Sequence, residues 1–144
     1  MKKLIFGLIG ASIIVILFLT GGCKLGNNNS SFTEFAIQID SIQHPDTVVF
    51  GKTLNIKFYG TIGPNDCYSF SRFVGGITGN QINIAAFGKF SNGTVCASVM
   101  QYLTGDTLGV NLVTSGTYVI HVMEPAPPDI YDTVYVSHAV TPIN

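Results

Sequence analysis

Any chemistry in this chain has to come from a short list of side chains. There are three histidines (His44, His121, His138), two glutamates (Glu34, Glu124), six aspartates and three cysteines (Cys23, Cys67, Cys96). No two histidines stand at i, i+2 on a strand or i, i+4 on a helix, the spacings that bring two ligands to one metal. His44 precedes Pro45 in a turn. His121 and His138 fall in strands and could approach each other across a strand pair, but the plainer reading of each is a surface or half-buried structural histidine. A hydrolase needs a nucleophile with a positioned base, or two facing carboxylates. No serine sits in Gly-x-Ser-x-Gly, Glu34 lies close to the N-terminal segment, and Glu124 begins a loop. Gly75-Gly76-Ile77-Thr78-Gly79 lacks the Lys-Ser/Thr and the helix of a phosphate loop. The expectation is a protein that is not an enzyme and carries no metal or cofactor.

One pattern recurs beyond chance. Four of the six aspartates precede Ser or Thr and then an apolar residue: Asp40-Ser41-Ile42, Asp46-Thr47-Val48, Asp106-Thr107-Leu108 and Asp132-Thr133-Val134. This resembles the Asp-Ser/Thr-apolar acceptor of general protein O-glycosylation in one group of Gram-negative gut anaerobes. The resemblance marks Ser41, Thr47, Thr107 and Thr133 as glycan acceptors. The plainer reading is that Asp favours turns and Thr-Val favours strand starts, so the triplet marks loop-to-strand junctions. Asn92-Gly93-Thr94 also matches an N-glycan acceptor, and reads better as a hairpin turn.

The N-terminus carries an address. Lys2 and Lys3 precede an uncharged run over residues 4–22, and Thr20-Gly21-Gly22-Cys23 puts small residues before a cysteine. That is the layout of a secretory signal. It resembles the lipobox of bacterial lipoproteins, in which a diacylglycerol is attached to the cysteine and cleavage makes that cysteine the new N-terminus. Thr20 stands where the family usually has Leu. The resemblance implies a signal peptide over 1–22, a lipid on Cys23 and a membrane as partner. An uncleaved anchor is the alternative, because the run approaches the roughly 20 residues that span a bilayer; simple secretion is another. Residues 23–31 are rich in Gly, Asn and Ser and read as a flexible linker. Lys24, rather than Asp, follows the cysteine, which in that family points to the outer membrane.

From Cys23 onward five bases face eight acids, a formal charge of −3. That excludes the basic footprint of a nucleic-acid binder and a polybasic lipid binder. Ten Phe and six Tyr with few charges need a core, which argues against disorder.

The elements that must position all this are strands. Ile37 and Ile39 alternate with Gln38 and Asp40; Leu54, Ile56 and Phe58 with Asn55 and Lys57; Ile82 and Ile84 with Gln81 and Asn83; Tyr118, Ile120 and Val122 form a further row. Period two over short runs means strands with one buried face. The pattern predicts strands over 35–42, 47–50, 53–60, 67–74, 81–90, 94–102, 107–113, 116–123 and 131–138, in one all-β domain over 32–144. Turns are expected at Gly75-Gly76, Asn92-Gly93 and Thr104-Gly105-Asp106, among others. Val95, Val99 and Tyr102 also fit a short helix over 95–103. Strands at this spacing suggest a sandwich.

Ser115-Gly116-Thr117-Tyr118-Val119-Ile120-His121-Val122 resembles the sixth strand of immunoglobulin-like domains, in which the tyrosine forms a corner contact. The resemblance implies an immunoglobulin-like β-sandwich of seven to nine strands. The chain has no Trp, and Cys67 and Cys96 stand too close together for the inter-sheet bridge of that family. Parity puts both cysteines on the less apolar face of their strands. Two free surface thiols are disfavoured in an oxidising compartment, so a Cys67–Cys96 disulfide is expected. Two unpaired cysteines remain the alternative.

Two loops carry candidate recognition residues: Pro64, Asn65 and Asp66 in the 60–66 turn, and Pro125, Pro127, Pro128 and Asp129 in the 124–130 loop. In an immunoglobulin-like topology they lie at one end of the sandwich. Prolines stiffen a loop, and a stiff loop loses little entropy on binding. The plainer reading of 124–130 is a proline-protected hairpin end. The sequence therefore suggests an envelope lipoprotein whose domain binds protein or glycan. The alternative is a structural or spacer subunit, for which a long exposed edge strand would be the sign.

Overall fold

The rows of alternating residues become nine strands and no helix in a computed structural model that describes residues 32–92 and 95–138. They are β1 (Phe32–Ala36), β2 (Gln38–Gln43), β3 (Thr47–Val49), β4 (Thr53–Gly63), β5 (Tyr68–Thr78), β6 (Gln81–Ser91), β7 (Gln101–Asn111), β8 (Gly116–Val122) and β9 (Ile130–Ser137). The three-stranded sheet runs β2-β4-β7. The other sheet runs β1-β6-β8-β9-β3, with β5 on the second edge of β6.

The two sheets bury the inner halves of their alternating rows against each other. Leu54, Ile56 and Phe58 from β4 meet Ile82 and Ile84 of β6, Tyr118, Ile120 and Val122 of β8, and Val134 and Val136 of β9. Each such side chain contributes roughly 1.5–3 kcal/mol by leaving water. Residues of opposite parity, such as Asn55, Lys57, Val119 and Thr133, face solvent. This is a β-sandwich.

Two pairings are parallel: β3 with β9, and β6 with β8. In the second, Ile82 stands opposite Ile120 and Ile84 opposite Val122. A parallel pair cannot be closed by a hairpin, and here the chain crosses to the other sheet as β7 between β6 and β8. The immunoglobulin arrangement is built from antiparallel sheets, so the β6–β8 pair is a departure from it. The tyrosine corner is nevertheless present. Tyr118 is 1% exposed, and its hydroxyl donates to the Thr114 carbonyl at 3.3 Å, with the Thr114 hydroxyl also in contact.

The expected strands differ from the observed ones in four places. The row over 35–42 is two strands, because the chain changes sheets at Ile37: β1 pairs with β6 and β2 with β4. Gly75-Gly76 is not a turn but part of β5, whose hairpin to β6 closes at Gly79-Asn80, with Gly79 at φ +58°. Thr104-Gly105-Asp106 is not a turn either. Gly105, at φ +101°, is the extra residue of a β-bulge inside β7, between the pairs Tyr59↔Thr104 and Phe58↔Asp106. And residues 95–100, expected within a strand or a short helix, are irregular: β7 starts only at Gln101. The hairpin turn expected at Asn92-Gly93 falls on Gly93, which lies outside the described residues; the described strands that pair with β6 are β1, β5 and β8.

The disulfide joins Cys67 to Cys96, with Cα atoms 5.4 Å apart. Neither cysteine lies within a strand. Cys67 is a buried residue of the turn before β5, and Cys96 is half-buried in the irregular segment. The parity argument failed because the strands it assumed do not extend that far.

Candidate functional site

The 124–129 loop joins β8 to β9 as the end of an antiparallel hairpin, and both of its carboxylates anchor it. Glu124 Oε2 accepts the backbone N–H of Ile39 at 2.9 Å, tying the loop to the start of β2. Asp129 Oδ1 accepts the Glu124 N–H at 3.0 Å, closing the loop across its own base. Asp129 Oδ2 accepts from His121 Nε2 at 2.7 Å. Between these anchors run Pro125, Pro127 and Pro128, with the Pro127–Pro128 peptide cis. Prolines donate no N–H, so this short span is held almost entirely through its two acidic ends.

Burial pushes the Glu124 carboxyl above its ordinary value. The Ile39 N–H opposes that rise, and the nearby Asp129 and Asp40 carboxylates add to it. Its second oxygen, Oε1, is buried without a hydrogen-bond partner, which fits a desolvated group. Asp129 moves the other way. The His121 ring N–H, then the Glu124 backbone N–H, hold it below the ordinary aspartate range.

His121 is set between β6 and β9. Its Nδ1 lies 3.0 Å from Gln81 Nε2 and 2.9 Å from Asn83 Oδ1, and its ring stacks on Tyr131 at 4.5 Å with the planes 5° apart. With the ring neutral, Nε2–H donates to Asp129 and Nδ1 accepts from Gln81. With it protonated, Nδ1–H donates to Asn83. A catalytic base needs its free nitrogen on a nucleophile's hydroxyl or thiol, and here amides occupy that position. The Asp129–His121 pair positions an imidazole and the adjoining Tyr131, whose ring is 63% exposed beside the proline loop.

His138 is not near His121. The β8–β9 register pairs His121 with Tyr131 and Gly116 with Val136, so the two histidines lie towards opposite ends of that pair, and His138 Nε2 meets Ser115 Oγ at 3.0 Å. His44 has its side chain almost wholly buried. Nδ1 lies 3.1 Å from the Pro45 carbonyl oxygen, and Nε2 lies 3.1 Å from Asp132 Oδ2 without forming a hydrogen bond. Glu34 is engaged by Ser71 Oγ and Arg72 Nη2, both at 2.7 Å.

The other candidate loop has different neighbours. Asp66 Oδ1 accepts the Ala97 N–H at 2.7 Å, the Asp66 N–H donates to the Ala97 carbonyl, and Asn65 Oδ1 caps the Cys67 N–H at 3.1 Å. Asp66, Cys67 and Cys96 stand close enough together to resemble a ligand cluster, but both sulfurs are spent in the disulfide. The 64–66 turn is thus part of the bridge that fixes the 95–97 segment, while the 124–129 loop is fixed to the β1–β2 junction.

The four glycan-acceptor candidates, Ser41, Thr47, Thr107 and Thr133, all lie on exposed residues, and the apolar residue after each turns inward. Cys23 lies outside the described residues.

The structure adds a feature that the sequence reading missed. β5 and β7 are both eleven residues long, both pair on one side only, and form neighbouring edges of the two sheets. Between their far ends opens an apolar cleft of about 300 Å³, lined by Phe73, Ile77, Ile82, Ile84, Leu108 and Val110. The available signal was the composition of 101–111, which holds no Pro, Lys or Arg to protect an edge. A broader hollow of about 420 Å³ lies around His44, Pro45 and Lys57.

No family model matches this chain, and neither a curated protein nor a solved structure is significantly similar to it.

Proposed function

We infer that this chain is an envelope lipoprotein, held to the membrane by lipid on Cys23, whose immunoglobulin-like sandwich is a non-catalytic binding module for protein or glycan. The observation that carries this reading is the preorganised 124–129 loop. Two carboxylates and a histidine lock its ends, and Pro125, Pro127, Pro128 and Tyr131 are all exposed. A surface already ordered loses little entropy on binding, and an exposed tyrosine offers both an apolar face and a hydroxyl. The disulfide supports an oxidising compartment. The exposed Ser41, Thr47, Thr107 and Thr133 support modification by glycan.

The test is capture from the native envelope by the full chain and by a variant carrying Pro64→Gly, Asn65→Ala, Pro125→Gly and Pro128→Gly. The expected result is a partner retained by the parent and lost by the variant. Capture that is unchanged by substitutions in both loops overturns the reading.

A second reading, a structural subunit of an envelope assembly, is favoured by one specific observation. β7 is a long edge strand that pairs on one side only.

A further inference from the structure

Edge strands template unwanted pairing, and proteins blunt them with charges, prolines, bulges and side-chain caps. β7 is blunted over one half only. At Gly105 a bulge breaks the ladder; Asp106 Oδ2 accepts the Thr104 N–H at 3.3 Å, and Thr107 Oγ1 donates to the Gly105 carbonyl at 3.0 Å. Beyond the bulge, Asp106 to Asn111 pairs with β4 in unbroken register. No further charge and no proline follow up to Asn111, and among the described residues no strand pairs with the opposite side of β7. This unprotected half is the half that borders the apolar cleft. Leu108, Gly109, Val110 and Asn111 all border that cleft; Leu108 and Val110 are half-buried, while Thr107, Gly109 and Asn111 are exposed.

We propose that β7 pairs antiparallel with β7 of a second copy of this chain, centred on Gly109, so that the two clefts close over each other. The cleft defines what can fill it: a strand that satisfies the free backbone edge and presents aliphatic side chains on one face only. Thr107 to Asn111 is such a strand, and its pattern is symmetric about Gly109. A two-fold axis there sets Leu108 opposite Val110 and Thr107 opposite Asn111, on one side and again on the other. Each copy then contributes Leu108 and Val110 towards the other's exposed Ile77. Gly109, without a side chain, leaves the axis uncrowded. This surface is separate from the 124–129 loop, so the dimer goes beyond the binding reading and does not depend on it.

The test uses the full chain in mild detergent. In the Gly109→Cys variant, two-fold pairing sets the two new thiols on residues whose Cα atoms are about 4.5–5.5 Å apart, and mild oxidation is expected to give a covalent dimer on a non-reducing gel. Ser41→Cys, on the opposite edge of the same sheet, is the control. Independently, Ile77→Glu replaces a residue that is 42% exposed in the single chain, so folding tolerates it. Burying that charge in the interface is expected to weaken association by about ten-fold or more in sedimentation. Equal cross-linking at 41 and 109 overturns the proposal, as does a parent chain that stays monomeric at every concentration. Cross-linking at 109 to other proteins alone also overturns it.

Discussion

Tyr118, buried in the core, sends its hydroxyl back to the carbonyl of Thr114, four residues earlier. The bond ties the start of β8 to the loop that brings the chain across from β7, and so fixes where the chain re-enters the larger sheet. Tyr118→Phe keeps the ring and its burial and removes only the hydroxyl. The Thr114 carbonyl then loses its donor, at a cost of about 0.5–1.5 kcal/mol. Urea denaturation is expected to show a lower midpoint with an unchanged slope, since the surface exposed on unfolding is the same.

The Cys67–Cys96 bridge closes a loop with a sequence separation of 29 residues. In the chain-entropy picture, a closure of that size stabilises the fold by about 3.5 kcal/mol. The double substitution Cys67→Ser with Cys96→Ser is expected to lower stability by that order in chemical denaturation. The loosened segment is 95–100, where few backbone bonds run to regular strands, so limited proteolysis is expected to cut there first. Uniform protection of the segment in the reduced protein would contradict this.

The two acids of the 124–129 loop respond to pH in opposite directions. Glu124 has a raised value in the fold, chiefly from burial. Between its unfolded and folded values the native state binds more protons, so stability falls as pH rises through that window, from about 4.5 upward. Glu124→Gln is expected to remove that fall. Asp129 has a lowered value, chiefly from the His121 bond. Its contribution is present above the unfolded value of about 3.8 and is lost as pH drops through the lower folded value. Asp129→Asn is expected to flatten the acid side of the profile. Urea midpoints measured from pH 3 to 8 separate the two effects.

The four acceptor triplets give a mass prediction. Protein isolated from its native host is expected to carry added sugar mass, lost stepwise as Ser41→Ala, Thr47→Ala, Thr107→Ala and Thr133→Ala are combined. Each hydroxyl already lies on an exposed residue, so no unfolding is needed for transfer. An unmodified parent chain would leave the triplets as strand-start signals only.

Alternation made the sandwich legible, because period two is fixed by backbone geometry and by burial of one face. Leu54-Ile56-Phe58 and Tyr118-Ile120-Val122 could hardly do anything else. Local signals misled where a turn residue served another purpose. Gly105 gives a bulge rather than a turn, and Gly75 lies deep in β5 because a Cβ there would meet the Asn83 carbonyl at 2.2 Å. The sheet change at Ile37 and the parallel β6–β8 pair depend on long-range partners, which one sequence does not encode locally. For the same reason the Asp129–His121–Tyr131 group was invisible. The sequence suggests His121 beside His138, and the β8–β9 pairing that puts it against Tyr131 instead is a property of register. The candidate loop residues, Asp129 among them, could be named from the sequence, but not the bonds by which Glu124 and Asp129 hold the loop.

The most direct measurement is the intact mass of the chain recovered from its native cell, fraction by fraction. The expected result is a membrane-fraction protein whose N-terminal residue is Cys23 carrying acyl chains, with Cys67 and Cys96 oxidised. A chain recovered from the cytosol with Met1 in place and free thiols at Cys67 and Cys96 would contradict export, lipid anchoring and the envelope role together.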